Sequence, residues 1–352
     1  METATSTTRI VGIDIARGLA VLGMYGAHVG VTEPFDWAQP GSWLDVVNGR
    51  SSILFAVLAG VSIAIISGGT TPAAGADLRT ARIRILVRAV LIFAIGMLLV
   101  ALDTRIAIIL PMYAVLFVAA LPVLSWRPRS LFIAAGAVSV VAPVVVVAIS
   151  PGLQNGGLLV DLLVTGHYPA LIWIAFVLAG LGIGRLDLRQ PSIRLRLLAV
   201  GAGLAVLGYG AGVAANQAVA ASTRPVAYDI QLLATVEAHS GSPFEVIGSA
   251  GFAIAVIALC LIASGPLRIP LYPVAAVGSM ALTAYTAHVV IVYLIGDSAF
   301  MQPDNGLYLW FVLGALVACS IWARLLGRGP LERVLTLVSR FAANPARRRT
   351  VR

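Results

Sequence analysis

The chain has 352 residues, of which 59% are hydrophobic and only 11% charged. A water-soluble domain carries about 25% charged residues, so the composition excludes one and points to an all-α, polytopic transmembrane helix bundle. The formal net charge of +9 is carried by arginine alone, since the sequence contains no lysine.

A bilayer span needs about 20 apolar residues. Ten runs qualify, at 10–30, 50–68, 83–102, 105–125, 129–149, 168–186, 195–217, 244–264, 273–295 and 307–326. The polar opening "METATSTTRIVG" lacks the basic start and clean apolar core of a cleavable signal peptide, so the first run is expected to stay in the mature protein. The segment "GGLLVDLLVTG" (156–166) is too short to cross and is expected at the interface.

With the N-terminus placed inside, Arg79, Arg82, Arg84 and Arg88 fall on the cytoplasmic side. So do Arg127, Arg129, Arg185, Arg189, Arg194, Arg196, Arg268 and the tail "NPARRRTVR". Only Arg50, Arg105 and Arg224 fall outside, together with most acids, among them Asp45, Asp103, Glu237, Glu245 and Asp297. This is a positive-inside pattern; it predicts ten spans with both termini cytoplasmic, a single domain over 1–340 and a basic tail over 341–352. The basic excess is thereby assigned to topology and anionic lipid, not to nucleic acid. "RTARIRILVR" (79–88) and the tail have a second reading, as holders of a phosphorylated cofactor. Glycine-rich "LAGLGIG" (178–184) and "LGYGAG" (207–212) suit close helix packing. Cys260 and Cys319 sit singly in apolar runs and imply neither disulfide nor metal.

The first run carries Asp14, Arg17 and His28, which a hydrocarbon core penalises. At roughly 100° per residue the three project within an arc of roughly 60°. Either Asp14 and Arg17 neutralise each other at the inner interface while His28 snorkels outward, or the three form a polar track facing the bundle interior. His288, in the ninth run, lies at a depth comparable with His28, and Tyr285 shares its face. Arg50 and Arg105 open the second and fourth runs. They either pair with Asp45 and Asp103 or ring the mouth of a cavity that holds the two histidines. His167 and His239 fall in outer loops or at their edges. No zinc-ligand spacing, nucleophile elbow or phosphate loop is present; imidazole, carboxylate, tyrosine and arginine support general-base catalysis or proton-coupled transport.

"GIDIARGLAVLGM", "GRSSILFAVLAGVS", "GHYPALIWIAFVLAGLGIGR" and "VGSMALTAYTAHVVI" together resemble the YeiB-like bacterial membrane proteins. These are related to heparan-alpha-glucosaminide N-acetyltransferase and the wider transmembrane acyltransferases. The resemblance implies transfer of an acyl group, acetyl above all, from cytoplasmic acetyl-CoA or another acyl-CoA to a sugar or glycan hydroxyl or amine across a bacterial plasma membrane. It needs no metal. Asp14, Arg17 and Gly18 match the family's Asp-x-x-Arg-Gly. The heparan-type loop histidine has no counterpart, because Pro40 stands at its place before Ser42 and Trp43. His28 after Arg17-Gly18 is similar instead to a first-span histidine of the enzymes that acylate bacterial surface polysaccharides. The expected catalytic residues are therefore His28 and His288, with Asp14, Arg17, Arg50, Arg105 and Tyr285 binding substrate. A homodimer is left open. The competing expectation is a proton-coupled transporter or flippase of a small lipid or glycolipid.

Overall fold

The computed structural model describes residues 9–153, 156–296 and 302–344; most of the basic tail and Asp297 lie outside them. Among the described residues there are helices and no strand. In chain order they are α1 Val11–Val29, α2 Arg50–Ile66, α3 Gly75–Val100, α4 Leu110–Ala119, α5 Pro128–Ile149 and the short α6 Leu158–Val160. There follow α7 Ala170–Ile183, α8 Pro191–Ala220, α9 Tyr228–Ala234, α10 Pro243–Ala263, α11 Tyr272–Ser279, α12 Ala281–Ile295, α13 Asn305–Leu325 and α14 Pro330–Ala342.

Each of the ten apolar runs is helical, but not all are spans of full length. Six helices are long and apolar enough to cross a membrane, and up to eight if two bent pairs each count as one. The pairs are Leu158–Thr165 with α7, bent by 61°, and α11 with α12, bent by 83°. The remaining runs are α1, whose hydropathy is lowered by Asp14, Arg17 and His28, and α4, which has only 10 residues. The protein is thus a multi-pass membrane protein.

α1 is the axis of the bundle. It is buried along most of its length and packs on α2, α10, α11 and α13. α3, α5, α8 and α13 instead turn exposed valine, leucine and isoleucine outward, among them Val90, Val141, Val206 and Val317, as helices bathed in lipid do. Hydrocarbon gives no hydrophobic drive between helices, so close packing must hold them. At the α1–α11 crossing a Cβ on Gly18 would run into the Val274 carbonyl oxygen, and one on Gly278 into that of Asp14. Glycine at both positions lets the backbones touch there.

Two polar clamps hold loops against this frame. Arg185, only 3% exposed, donates to the carbonyls of Ala64, Ser67 and Gly69 at 3.2, 3.0 and 2.8 Å. It also donates to Ser67 Oγ and to the Leu124 carbonyl, so one guanidinium ties the end of α2 and the turn that follows it to the segment after α4. Glu332 of α14 accepts from Leu282 N at 2.8 Å, Thr283 N at 3.1 Å and Thr283 Oγ1 at 2.6 Å. It thereby caps α12 directly after the bend at Met280.

A four-histidine cavity at one end of the bundle

A cavity of about 250 Å³ opens where several loops meet the end of α1. Its wall is built from Met24, Ala27 and His28 of α1, and from Val47 to Gly49 with Ser51 and Ser52 at the start of α2. The segment before α4 adds Arg105, Ile106, Ala107 and Ile109. His167, Tyr168, His239 and Tyr285 complete it. His28 Nδ1 lies 3.1 Å from Nε2 of His288, and the two rings stack at 5.3 Å. All four histidines of the chain therefore line this cavity or back a residue that does.

The position of His288 is over-determined. It is 1% exposed, with the Tyr25 ring stacked on it at 4.3 Å and Phe311 edge-on at 4.7 Å. The Tyr25 hydroxyl donates to the Ala284 carbonyl at 3.0 Å, tying α1 to α12 one turn before His288. Between the imidazoles one ring nitrogen donates and the other accepts. When His28 Nδ1–H donates to His288, the His28 Nε2 lone pair is left available as a base. Tyr285 stands edge-on to His28, with ring centroids 6.4 Å apart.

The second imidazole pair comes from loops. His167 and His239 lie 4.3 Å apart, with Tyr168 edge-on to both. His239 adopts a left-handed backbone conformation, φ 63°, uncommon for a non-glycine residue. Its Nδ1 is buried without a hydrogen-bond partner. Burial, reinforced by His167 and His28, pushes its pKa down to about 4, so at neutral pH it is an uncharged imidazole.

The other expected site residues separate into three groups. Arg105 is exposed on the cavity wall and, among the described residues, has no ion pair with Asp103. Arg50 does not line the cavity. Its Nε donates to Tyr209 at 2.9 Å, Tyr209 meets Ser249 at 2.7 Å, and Ser249 donates to the buried Glu245 at 3.3 Å. That chain ties α2 to α8 and α10 just behind the cavity wall. Arg17 and Asp14 sit at the far end of α1, about 16 Å and about 21 Å from His28 along the axis at 1.5 Å per residue. There Asp14 accepts from Arg9 and, at 3.1 Å, from Arg17, whose Nη2 also donates to Ser62 at 2.7 Å. The polar track is thus two sites joined by one helix. Among the described residues no cluster of three or more histidine, cysteine or acidic side chains is placed to hold a metal.

Sequence reasoning passed over Tyr25, Tyr209, Ser249 and Glu332, and read Arg185 and Glu245 only as loop charges. For Tyr25 a signal existed: it precedes His28 by three residues and so shares its helix face.

A family model described as heparan-alpha-glucosaminide N-acetyltransferase, catalytic, matches residues 9–211. A second, described as a protein of unknown function (DUF418), matches residues 188–340. No curated protein matches the chain. The cavity draws on both regions: His28, Arg105 and His167 fall in the first, His239, Tyr285 and His288 in the second.

Proposed function

The chain belongs to the heparan-alpha-glucosaminide N-acetyltransferase family of membrane acetyltransferase-like proteins, and from that premise we propose an acyl-CoA-dependent acyltransferase of a bacterial plasma membrane. Its acceptor is an extracytoplasmic sugar or glycan hydroxyl or amine. The observation that carries the reading is the convergence of three histidines on one cavity, with His28 hydrogen-bonded to the fourth, His288, behind it.

The acceptor O–H or N–H gives its proton to His28 Nε2 as the acceptor atom attacks the thioester carbonyl. The C–S bond then breaks, and the proton passes from His28 to the leaving thiolate, so protons balance. His288 holds His28 in the required tautomer, as a second group orients the base in other acyl-transfer sites. Arg105, lacking an internal counter-ion, faces the developing oxyanion or an anionic acceptor. The cavity volume suits an acyl thioester and one acceptor group but not a whole coenzyme, so the nucleotide end of the donor stays outside it. Arg50 supports the wall instead of touching substrate, and Asp14 orients Arg17.

The bent pairs are the observation a transporter or flippase reading would use, since broken helices line many transport sites. The two readings differ in what the protein handles. Membranes carrying the protein, supplied with [14C]acetyl-CoA, should label envelope glycan; those carrying His28→Ala should not, and those carrying His288→Ala should label it less. Equal labelling by wild type and both variants overturns the assignment. Thermal stabilisation by a panel of lipids, with none by acetyl-CoA, favours transport.

A further inference from the structure

α14 is too short to cross a bilayer. Its 13 residues extend about 20 Å at 1.5 Å per residue, against a hydrocarbon core of about 30 Å. At roughly 100° per residue its side chains fall on three faces. Leu335 and Ser339 are buried where α14 packs on α3 and α12. Val334, Leu337, Val338 and Phe341 form a continuous exposed stripe, with Leu337 at 68% the most open of the four. Arg333 and Arg340 flank that stripe on the side away from the buried face, and both are exposed.

Two contacts fix the helix against the bundle. At its start Glu332 accepts from Leu282 N, Thr283 N and Thr283 Oγ1, while Leu331 N lies 3.2 Å from Thr283 Oγ1. Farther along, Arg88 of α3 donates to Ser339 Oγ at 3.4 Å and to Thr336 Oγ1 at 3.5 Å. Arg88 is the last of the α3 arginines, after Arg79, Arg82 and Arg84. Arginine belongs at the boundary of a bilayer and not in its core, so these contacts hold α14 at the level of that boundary.

The charge around the stripe has one sign. From residue 305 to 352 the sequence has eight arginines and one acid, Glu332, which is engaged by the start of α12. Arg324 and Arg328, just before α14, are exposed like Arg333 and Arg340. An amphipathic helix of this kind lies in the plane of the membrane surface, its apolar face in the acyl boundary and its cations among the headgroups. We propose that α14 is an interfacial helix docked on an anionic lipid surface, and that this docking seats Glu332 on the start of α12. The stripe and the carboxylate belong to one short helix, so a helix lifted from the lipid withdraws Glu332 from Leu282 and Thr283. His288 lies two turns farther along α12, which places the lipid surface in mechanical contact with the His28–His288 pair. A second copy of the chain would also cover the stripe, but an isologous contact would bring the arginines of both copies together with no acid to offset them. The inference does not rest on the acyltransferase reading.

The test uses the full-length protein in nanodiscs of phosphatidylcholine, with and without phosphatidylglycerol, and needs no acyl transfer. Hydrogen exchange at the Leu282 and Thr283 amides should be at least roughly fivefold slower with phosphatidylglycerol, the factor expected for one arginine at an anionic surface. Arg340→Gln should remove roughly fivefold of that protection with phosphatidylglycerol and change nothing in phosphatidylcholine alone. A merely structural role for Arg340 would alter exchange equally in both lipids. Leu337 is exposed, so Leu337→Asp should fold as wild type does and lose the lipid dependence. A spin label on Leu337→Cys should be open to oxygen and shielded from a water-soluble nickel reagent; Cys260 and Cys319 are buried and should not take the label. Equal exchange in the two lipids, or a label open to nickel, overturns the proposal. Dipolar coupling between labels on two copies would make the stripe a dimer contact and overturn it as well.

Discussion

His28 on α1 and His288 on α12, 260 residues apart in sequence, meet at 3.1 Å between Nδ1 and Nε2. Only His28 also lines the cavity, so the two should not be equivalent. Positioned general bases contribute roughly 10² to 10⁴ in rate. His28→Ala should lower kcat by that order with little change in stability. His288→Ala should lower it less, because the base survives without its orienting partner. Steady-state kinetics of the two purified variants decide; a larger loss in His288→Ala would reverse the roles.

Glu332 links α14 to this pair. By accepting from two backbone N–H groups and the Thr283 hydroxyl, it fixes the first turn of the helix that presents His288. Loss of such a cap costs about 1 kcal/mol, and Glu332→Ala leaves three donors unpaired. Thermal unfolding in detergent should show that loss. Turnover per folded molecule should also fall, since α12 would no longer be held at its bend. Lower stability with unchanged turnover would make Glu332 a structural cap alone.

The stripe on α1 was legible because helical spacing is a local property: three residues and eleven residues both return a side chain to the same face. Its division into two sites was not. Asp14 and Arg17 find Arg9 and Ser62 at one end, and His28 finds His288 at the other. Partners from distant chain segments leave no trace in periodicity. Arg50 shows the same limit, for its neighbour Asp45 was the obvious partner, whereas the structure gives it Tyr209, 159 residues on. Arg185 read as one more cytoplasmic charge because positive-inside counting cannot distinguish a solvated arginine from a buried clamp. The bend at Met280 falls within an unbroken apolar run, and hydropathy alone does not register a change of direction.

Arg185 is the severest test of the frame. Its guanidinium serves five oxygen acceptors, and a buried charged donor removed from such a network costs about 3 kcal/mol or more. Arg185→Ala should lower the melting temperature sharply. Arg185→Lys should recover only part of it, because one ammonium cannot reproduce a planar fork that reaches both the end of α2 and Leu124. Recovery by lysine to the wild-type value would show that charge alone matters.

His239 gives the cavity loop a pH dependence. Its pKa falls from 6.5 to about 4, through burial first and then the positive fields of His167 and His28. The unfolded chain therefore takes up a proton near pH 6.5 while the folded protein resists until about pH 4. Where the unfolded state binds more protons, stability falls as pH falls. The contribution is complete above about 6.5, declines between 6.5 and 4, and is flat below. Chemical denaturation across this window should show a slope for wild type that His239→Gln reduces, since glutamine does not titrate. An identical slope in both would mean that the titration belongs to other groups and that folding does not shift the His239 pKa.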